Sequence, residues 1–360
     1  MNELGFYTLA GQPRSPRDLI AEVRTGEELG LGSAFISERW NIKEAATLSG
    51  AAGAVSERLG IATAATNHNT RHPAVTASYA TTMHRLTGGR FTLGLGRGID
   101  PLFDAFGIPR ITTAEMEDFI GLVRRLWRGE AVFSHDGPAG KYPVLHLDSS
   151  FDEHIPVGLT AFGPNTLALA GRVCDMVVLH TFFTDETTAR VVKAVRTAAG
   201  QAGRDPGAVR VWSCFATVGN HLRHDVQLKK TVGRMGSYLQ GYGDLLVRTN
   251  GWDPAVLERF RADEVVGSVG GSIDAVATTE QLEHIATLIP DEWLAPAARG
   301  SAEACAAAVL TQFDLGVDGV IMHGASPDEL APVVAAYRAV RPAGRFDHLP
   351  ANPGLVAGPA

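Results

Sequence analysis

The chain has little cysteine, no long apolar run and none of the common nucleotide or hydrolase signatures. Its three cysteines, Cys174, Cys214 and Cys305, lie far apart and form no CxxC pair. A disulfide framework is therefore not expected, and a reduced, cytoplasmic setting is. No stretch approaches the roughly 18 apolar residues of a membrane helix, and Met1–Ala10 does not read as a signal peptide. The net charge of −7 argues against a nucleic-acid partner. No membrane partner is expected either. GxSxG and HExxH are missing, so serine-hydrolase and zinc-protease chemistry lack their usual residues. Gly94-x-Gly96-x-Gly98 fails as a dinucleotide fingerprint, because Ile99 stands where GxGxxG needs glycine, and no Walker lysine follows.

What is present is an ordinary globular mix, 45% apolar and 20% charged, with a repeating grammar. A helix end, a glycine or short polar turn, and a short apolar run recur at Glu27–Ser37, Glu57–Ala65, Leu86–Leu95, Ala170–Leu179 and Phe313–Met322. Glycine suits the left-handed residue after a helix, and short apolar runs suit strands buried on both faces. Strands are expected near 4–8, 34–37, 60–65, 91–95, 156–160, 175–179, 209–218 and 319–322. Helices are expected near 16–30, 43–57, 73–86, 112–128, 163–171, 185–202 and 326–340, with an irregular helical region over 225–310. Eight alternating units point to a closed (β/α)8 TIM barrel more than to an open sheet. A barrel needs about 250 residues, so insertions are expected near 130–155, which alternates and turns like a small hairpin excursion, and near 225–298, helical but irregular. One barrel would occupy 1–340, and 341–360, rich in Pro, Gly and Ala, reads as a loosely held tail.

In such folds ligands bind at the loops after the strands. Five strand ends carry chemistry. Gly96, Arg97 and Gly98 read either as a tight turn or as backbone opened to a flat or phosphorylated ligand. The loop Thr66–His72 is rich in donors. His68 and His72 are four apart but precede Pro73 without a carboxylate between them, so anion or cofactor contact is preferred to a metal. A solvated loop is the alternative, and no metal is expected. Glu38 and Arg39 end the second strand, with Trp40 beside them; they read as an internal salt bridge or as a pair facing the pocket. Ala161, Phe162 and Gly163 lead into a helix with Pro164 in its first turn, an ordinary cap or a phosphate cradle. His180 and Thr181 end the sixth strand on the same rim.

Three segments carry a family resemblance: Arg71-His72-Pro73-Ala74, Leu86-Thr87-Gly88-Gly89-Arg90 and Leu93–Gly98. With Ile155–Pro164, Leu169–Asp175 and Phe313–His323 they resemble the bacterial luciferase-like superfamily over essentially the whole chain. Ser37–Lys43 resembles an actinobacterial subgroup of its coenzyme F420-dependent branch. The resemblance implies an oxidoreductase that passes hydride between the deazaflavin F420 and a small organic substrate. FMN with oxygen, as in the monooxygenases of the superfamily, is the alternative, and a cofactor-binding protein without turnover the second. It also implies a homodimer. A non-prolyl cis peptide is implied at Ala64-Ala65, within one residue, with Thr66 adjoining, where small side chains leave room for a planar ring. Phosphate contacts would map to Gly96–Gly98 and Ala161–Gly163. Relatives that oxidise sugar phosphates carry Asp-His where Glu38-Arg39 stand, and an acid where Ile99 stands. Arg39 would then stabilise charge on the reduced ring, with Glu38 or His68 supplying a proton. Arg39, Lys43, Asn67, Arg71 and Arg97 would form a basic rim for an anionic tail.

Overall fold

The computed structural model describes residues 1–11, 13–39 and 42–357. Its centre is eight parallel strands: β1 Leu4–Tyr7, β2 Ser33–Ile36, β3 Gly60–Thr63, β4 Phe91–Leu95, β5 Val157–Thr160, β6 Met176–Val178, β7 Arg210–Gly219 and β8 Gly319–His323. Each strand pairs with the next in chain order, and β8 pairs back to β1 with Leu4 opposite Val320. The sheet is therefore a closed (β/α)8 barrel, as the alternation of short apolar runs and helices implies. Burial of nearly every strand residue explains why these runs read as continuous rather than alternating. Phe35, Ala62, Met176, Val178, Trp212 and Ile321 pack together inside the barrel.

Two segments lie outside the barrel sheet. Val132–Gly137 and Gly140–Leu145 form an antiparallel hairpin. The segment after β7 is mostly helical and has its own core around Met235, Leu239, Phe260, Ile285 and Trp293. Two elements were not expected: a helix at Asp100–Phe106, and a short strand, Ala298–Gly300, that pairs with the outer end of β7.

The described part of the tail, 341–357, is not loosely held. Buried Arg210 donates to the carbonyls of Pro350 (3.2 Å), Asn352 (2.8 Å) and Leu355 (2.9 Å). Trp212 Nε1 donates to Pro353 O at 2.8 Å, and Asn352 Nδ2 donates to Phe91 O at 3.0 Å. The tail thus closes the amino-terminal end of the barrel. Its composition disfavours regular structure, but its free carbonyls satisfy buried donors that lie more than a hundred residues away in sequence. No helix among the described residues is long and apolar enough to cross a membrane.

Candidate active site

The opposite, carboxyl end of the barrel holds a cavity of about 740 Å³. The loops after β1, β2, β3, β4, β5 and β6 and the last residue of β8 all reach it. Immediately after β3 the Ala64–Ala65 peptide is cis, at the position the resemblance implies, and both alanines line the cavity.

The glycine turn after β4 is first a packing device. A Cβ at Gly94 would lie 1.8 Å from Thr63 O, and one at Gly96 would lie 2.8 Å from both Ala65 Cβ and Thr160 Oγ1. Gly98 has φ +72°, which favours glycine. Gly96, Arg97 and Gly98 nevertheless also line the cavity. Arg97 donates to Ile111 O at 3.2 Å and to Thr113 Oγ1, which leaves its buried Nε without a partner.

Ala161, Phe162 and Gly163 border the cavity beside the start of the helix Pro164–Val173. Gly163 is the N-cap, and no side chain caps the helix. A Cβ there would meet no protein atom within 4 Å. The first-turn N–H groups of Asn165 and Thr166 have no carbonyl one turn earlier within the helix, so this end can receive an anion.

Glu38 and Arg39 both reach the cavity but do not pair with each other. The Glu38 carboxylate accepts from Thr66 Oγ1 (2.6 Å), Arg71 Nη2 (3.0 Å) and Ala45 N (3.1 Å). Arg39 donates to Gly11 O at 3.3 Å, and its backbone bridges to Lys43. Successive side chains on extended backbone point to opposite sides, which separates the two. The expected Glu38–Arg39 pair is therefore replaced by Glu38–Arg71. Trp40 lies outside the described residues.

Arg71 also pairs with Glu44, so it is neutralised and does not line the cavity as a free rim charge. Thr66 is buried behind the wall; its hydroxyl donates to Glu38 and accepts from Arg71 at 2.8 Å. It is a brace rather than the cofactor contact expected. His68 is displaced as well. The single turn His68–Thr70 carries its ring onto Phe119, 4.9 Å away, beside a separate cavity of about 450 Å³. Burial pushes its pKa down to about 4. His68 is thus outside the main cavity and is not placed there as an acid/base group. Asn67 does face the cavity and donates to Gly96 O at 2.8 Å.

His180 lies on the cavity wall as expected. Its Nδ1 stands 2.7 Å from Thr181 O and its Nε2 3.0 Å from Tyr242 Oη. A carbonyl only accepts, so Nδ1–H is the donor, and neutral Nε2 accepts the Tyr242 hydroxyl proton. Burial lowers the His180 pKa to about 4, consistent with that neutral form. His323, at the end of β8, packs edge-on to Tyr7 and has a buried Nδ1 without a partner. Its pKa is pushed well below the usual range by burial and then by the charge of Arg234.

The groups that sequence reasoning missed come from the second insertion. Arg234, Tyr238 and Tyr242 recur every four residues on the helix Arg234–Asn250 and face the cavity. Arg234 pairs with buried Asp274 at 2.8 Å. The spacing marks one helix face, but nothing local says what that face meets. Lys43, also buried, lines the cavity and donates to Leu9 O at 2.6 Å.

A closed barrel with loops enclosing a cavity of cofactor size at the strands' carboxyl ends is the architecture of a barrel enzyme. The model of the luciferase-like monooxygenase family matches residues 2–319, and the chain belongs to that family. It is similar to a 5,10-methylenetetrahydromethanopterin reductase of Methanolobus tindarius, 26% identical over 318 residues, which cover 85% of this chain and 91% of that protein. Among solved structures it resembles the coenzyme F420-dependent tetrahydromethanopterin reductase of Methanopyrus kandleri, with TM-score 0.76 and 18% identity over 94% of this chain and 99% of that one. An F420-dependent secondary alcohol dehydrogenase in complex with an F420-acetone adduct aligns with TM-score 0.70 and 16% identity, over 94% and 99% of the two chains.

Proposed function

We propose that the chain is an oxidoreductase that transfers hydride between coenzyme F420 and a small organic substrate. The observation that carries this reading is one cavity joining the Ala64–Ala65 wall to an anion cradle at Gly96–Gly98 and Gly163–Thr166. The residues fit the group on two counts. The uncapped helix start at Gly163 leaves open space where a Cβ would stand, and Arg97 Nε is a buried donor awaiting a partner. The name of the Methanolobus relative, a reductase matched over most of its length, favours reduction over oxygen insertion.

When bound, F420 supplies a two-electron hydride carrier that does not activate oxygen. The chain's own residues hold, orient and shield. Gly96–Gly98, Arg97 and the start of the helix Pro164–Val173 would hold the phosphate region, and Ala64 and Ala65 would leave space for the ring. Tyr242 and neutral His180 form a hydrogen-bonded couple on the wall. Tyr242 donates its hydroxyl hydrogen bond to neutral His180 Nε2, so a proton taken from a substrate hydroxyl by the Tyr242 oxygen can pass on to His180 as imidazolium, and protonation of a substrate oxygen is the reverse of that step. The aromatic group Phe162, Tyr238 and Tyr242 around His180 screens that couple from water.

The test is side-by-side titration of the protein with F420 and FMN, followed by stopped-flow oxidation of reduced F420 against carbonyl compounds. Tighter F420 binding is expected, with no oxygen consumption. Tighter FMN binding, together with oxygen uptake on reduced FMN, would replace this reading with a monooxygenase.

A further inference from the structure

Three cations gather on the side of the cavity formed by β8, β1 and β2. Arg39 and Lys43 follow β2, and Arg234 reaches over from the insertion toward His323 at the end of β8. Few carboxylates answer them. Arg39 has no ion-pair partner among the described residues; its guanidinium donates to one carbonyl, Gly11 O. Lys43 Nζ donates to Leu9 O and, at 3.5 Å, to Ser37 Oγ, both uncharged. Asp274 answers Arg234, and Glu38, the nearest acid in sequence, is engaged by Arg71 and Thr66. Glu22, near Lys43, accepts from Leu9 N, and burial raises its pKa to about 7. His180 and His323 are held neutral.

Cations drawn from water without counter-charges are costly, so a surplus of this kind calls for an anionic partner. Arg234 is near enough to be the second cause, after burial, of the lowered Arg39 pKa, and Asp274, which also faces Arg39, offsets it only in part. An anion between two guanidiniums and an ammonium would relieve that repulsion and accept forked hydrogen bonds. The phosphate cradle is elsewhere, after β4 and β5. The cavity thus offers two separated anion sites, and the cofactor region assigned above uses the other one.

We propose that Arg39, Lys43 and Arg234 form an oxyanion subsite that holds a carboxylate or phosphate of the substrate, an inference that rests on the hydride-transfer reading. The substrate class is then a small carbonyl compound or alcohol that carries an oxyanion. His180 and Tyr242 line the same cavity, which leaves the reacting oxygen to them and the charged end to the cations.

The experiment uses oxalate and inorganic phosphate as probes, titrated calorimetrically into the full chain with and without F420. Arg39→Met should weaken probe binding by about tenfold or more, the scale of losing one charge-assisted contact, and Arg39→Lys should recover part of it. F420 affinity should stay within about threefold of wild type in both. Arg234→Lys keeps a cation for Asp274 and should weaken the probes as well, with thermal melting confirming that each variant folds. A preference for oxalate marks a carboxylate, and a preference for phosphate a phosphate ester. Absence of probe binding to wild type overturns the proposal. So does equal loss of F420 and probe in Arg39→Met, which would give these cations to the cofactor. Probe binding to a protein that does not bind F420 would sustain the subsite while removing the hydride-transfer reading.

Discussion

Glu38→Ala should cost stability before it costs chemistry. The Glu38 side chain is 4% exposed and its carboxylate has three donors: Thr66 Oγ1, Arg71 Nη2 and Ala45 N. Removing one partner of a buried ion pair typically costs 3–5 kcal/mol. Arg71 is 19% exposed and keeps Glu44, so the lower end applies, about 3 kcal/mol. At about 2.1 cal/mol/K per residue, the 360 residues give an unfolding entropy of about 0.76 kcal/mol/K. The melting temperature should therefore fall by about 4 °C. Differential scanning calorimetry reads this shift, and an F420 titration of the same sample should show affinity within about threefold of wild type. An unchanged melting temperature with a loss of turnover of about 10²-fold would refute the reasoning and return Glu38 to the chemistry.

Three further outcomes are expected. Truncation before Pro350 removes three carbonyl acceptors from buried Arg210 and the acceptor of Trp212 Nε1; at about 1.5–3 kcal/mol per bond to a charged group, the chain should be largely insoluble or melt far below wild type. Gly163→Asp places a carboxylate on an N-cap whose φ and ψ, −91° and 164°, already suit capping; melting should be unchanged or higher while F420 affinity falls by about tenfold or more, and equal F420 affinity would remove this helix from the cofactor site. Lys43, whose pKa burial and then the Arg39 charge lower to about 7, is a cation below that pH and neutral above it. Oxalate binding should therefore weaken as pH rises through about 7, Lys43→Arg should flatten that limb, and Glu22→Gln, which removes a favourable charge, should move it to lower pH.

The barrel was legible because most of its strands are short apolar runs after a glycine or polar turn, and such runs need no knowledge of their partners. The hairpin was legible for a similar reason: its alternation and turn residues are local. Glu38 was harder. Its sequence neighbour Arg39 looked like its partner, whereas Thr66 and Arg71 lie about thirty residues away and come near only because β3 pairs with β2. His68 and Thr66 shared a donor-rich loop with Asn67, yet one short turn places only Asn67 in the cavity. The tail failed most plainly, since composition reports what a segment can form alone and not which buried donors await it.

The second insertion supplies part of the cavity wall. The loops after β3, β4 and β5 supply glycines and small alanines, which suit a planar, phosphorylated ligand but favour no particular substrate. Arg234, Tyr238 and Tyr242 all come from the helix after β7, and that helix is not regular. A π-helical turn, Lys229–Gly233, precedes it, and Tyr242 itself departs from helical geometry at φ −156° and ψ 38°. Such irregularities recur at functional sites because they re-aim side chains that a straight helix would carry past their target. Here Tyr242 Oη sits 3.0 Å from His180 Nε2, sixty-two residues away in sequence. The insertion carries its own apolar core, so its inward face can change without disturbing the lumen of the barrel. On the proposed function, cofactor choice would fall to the loops after β3, β4 and β5, and substrate choice to the loop after β2 together with the face of the insertion that bears Arg234.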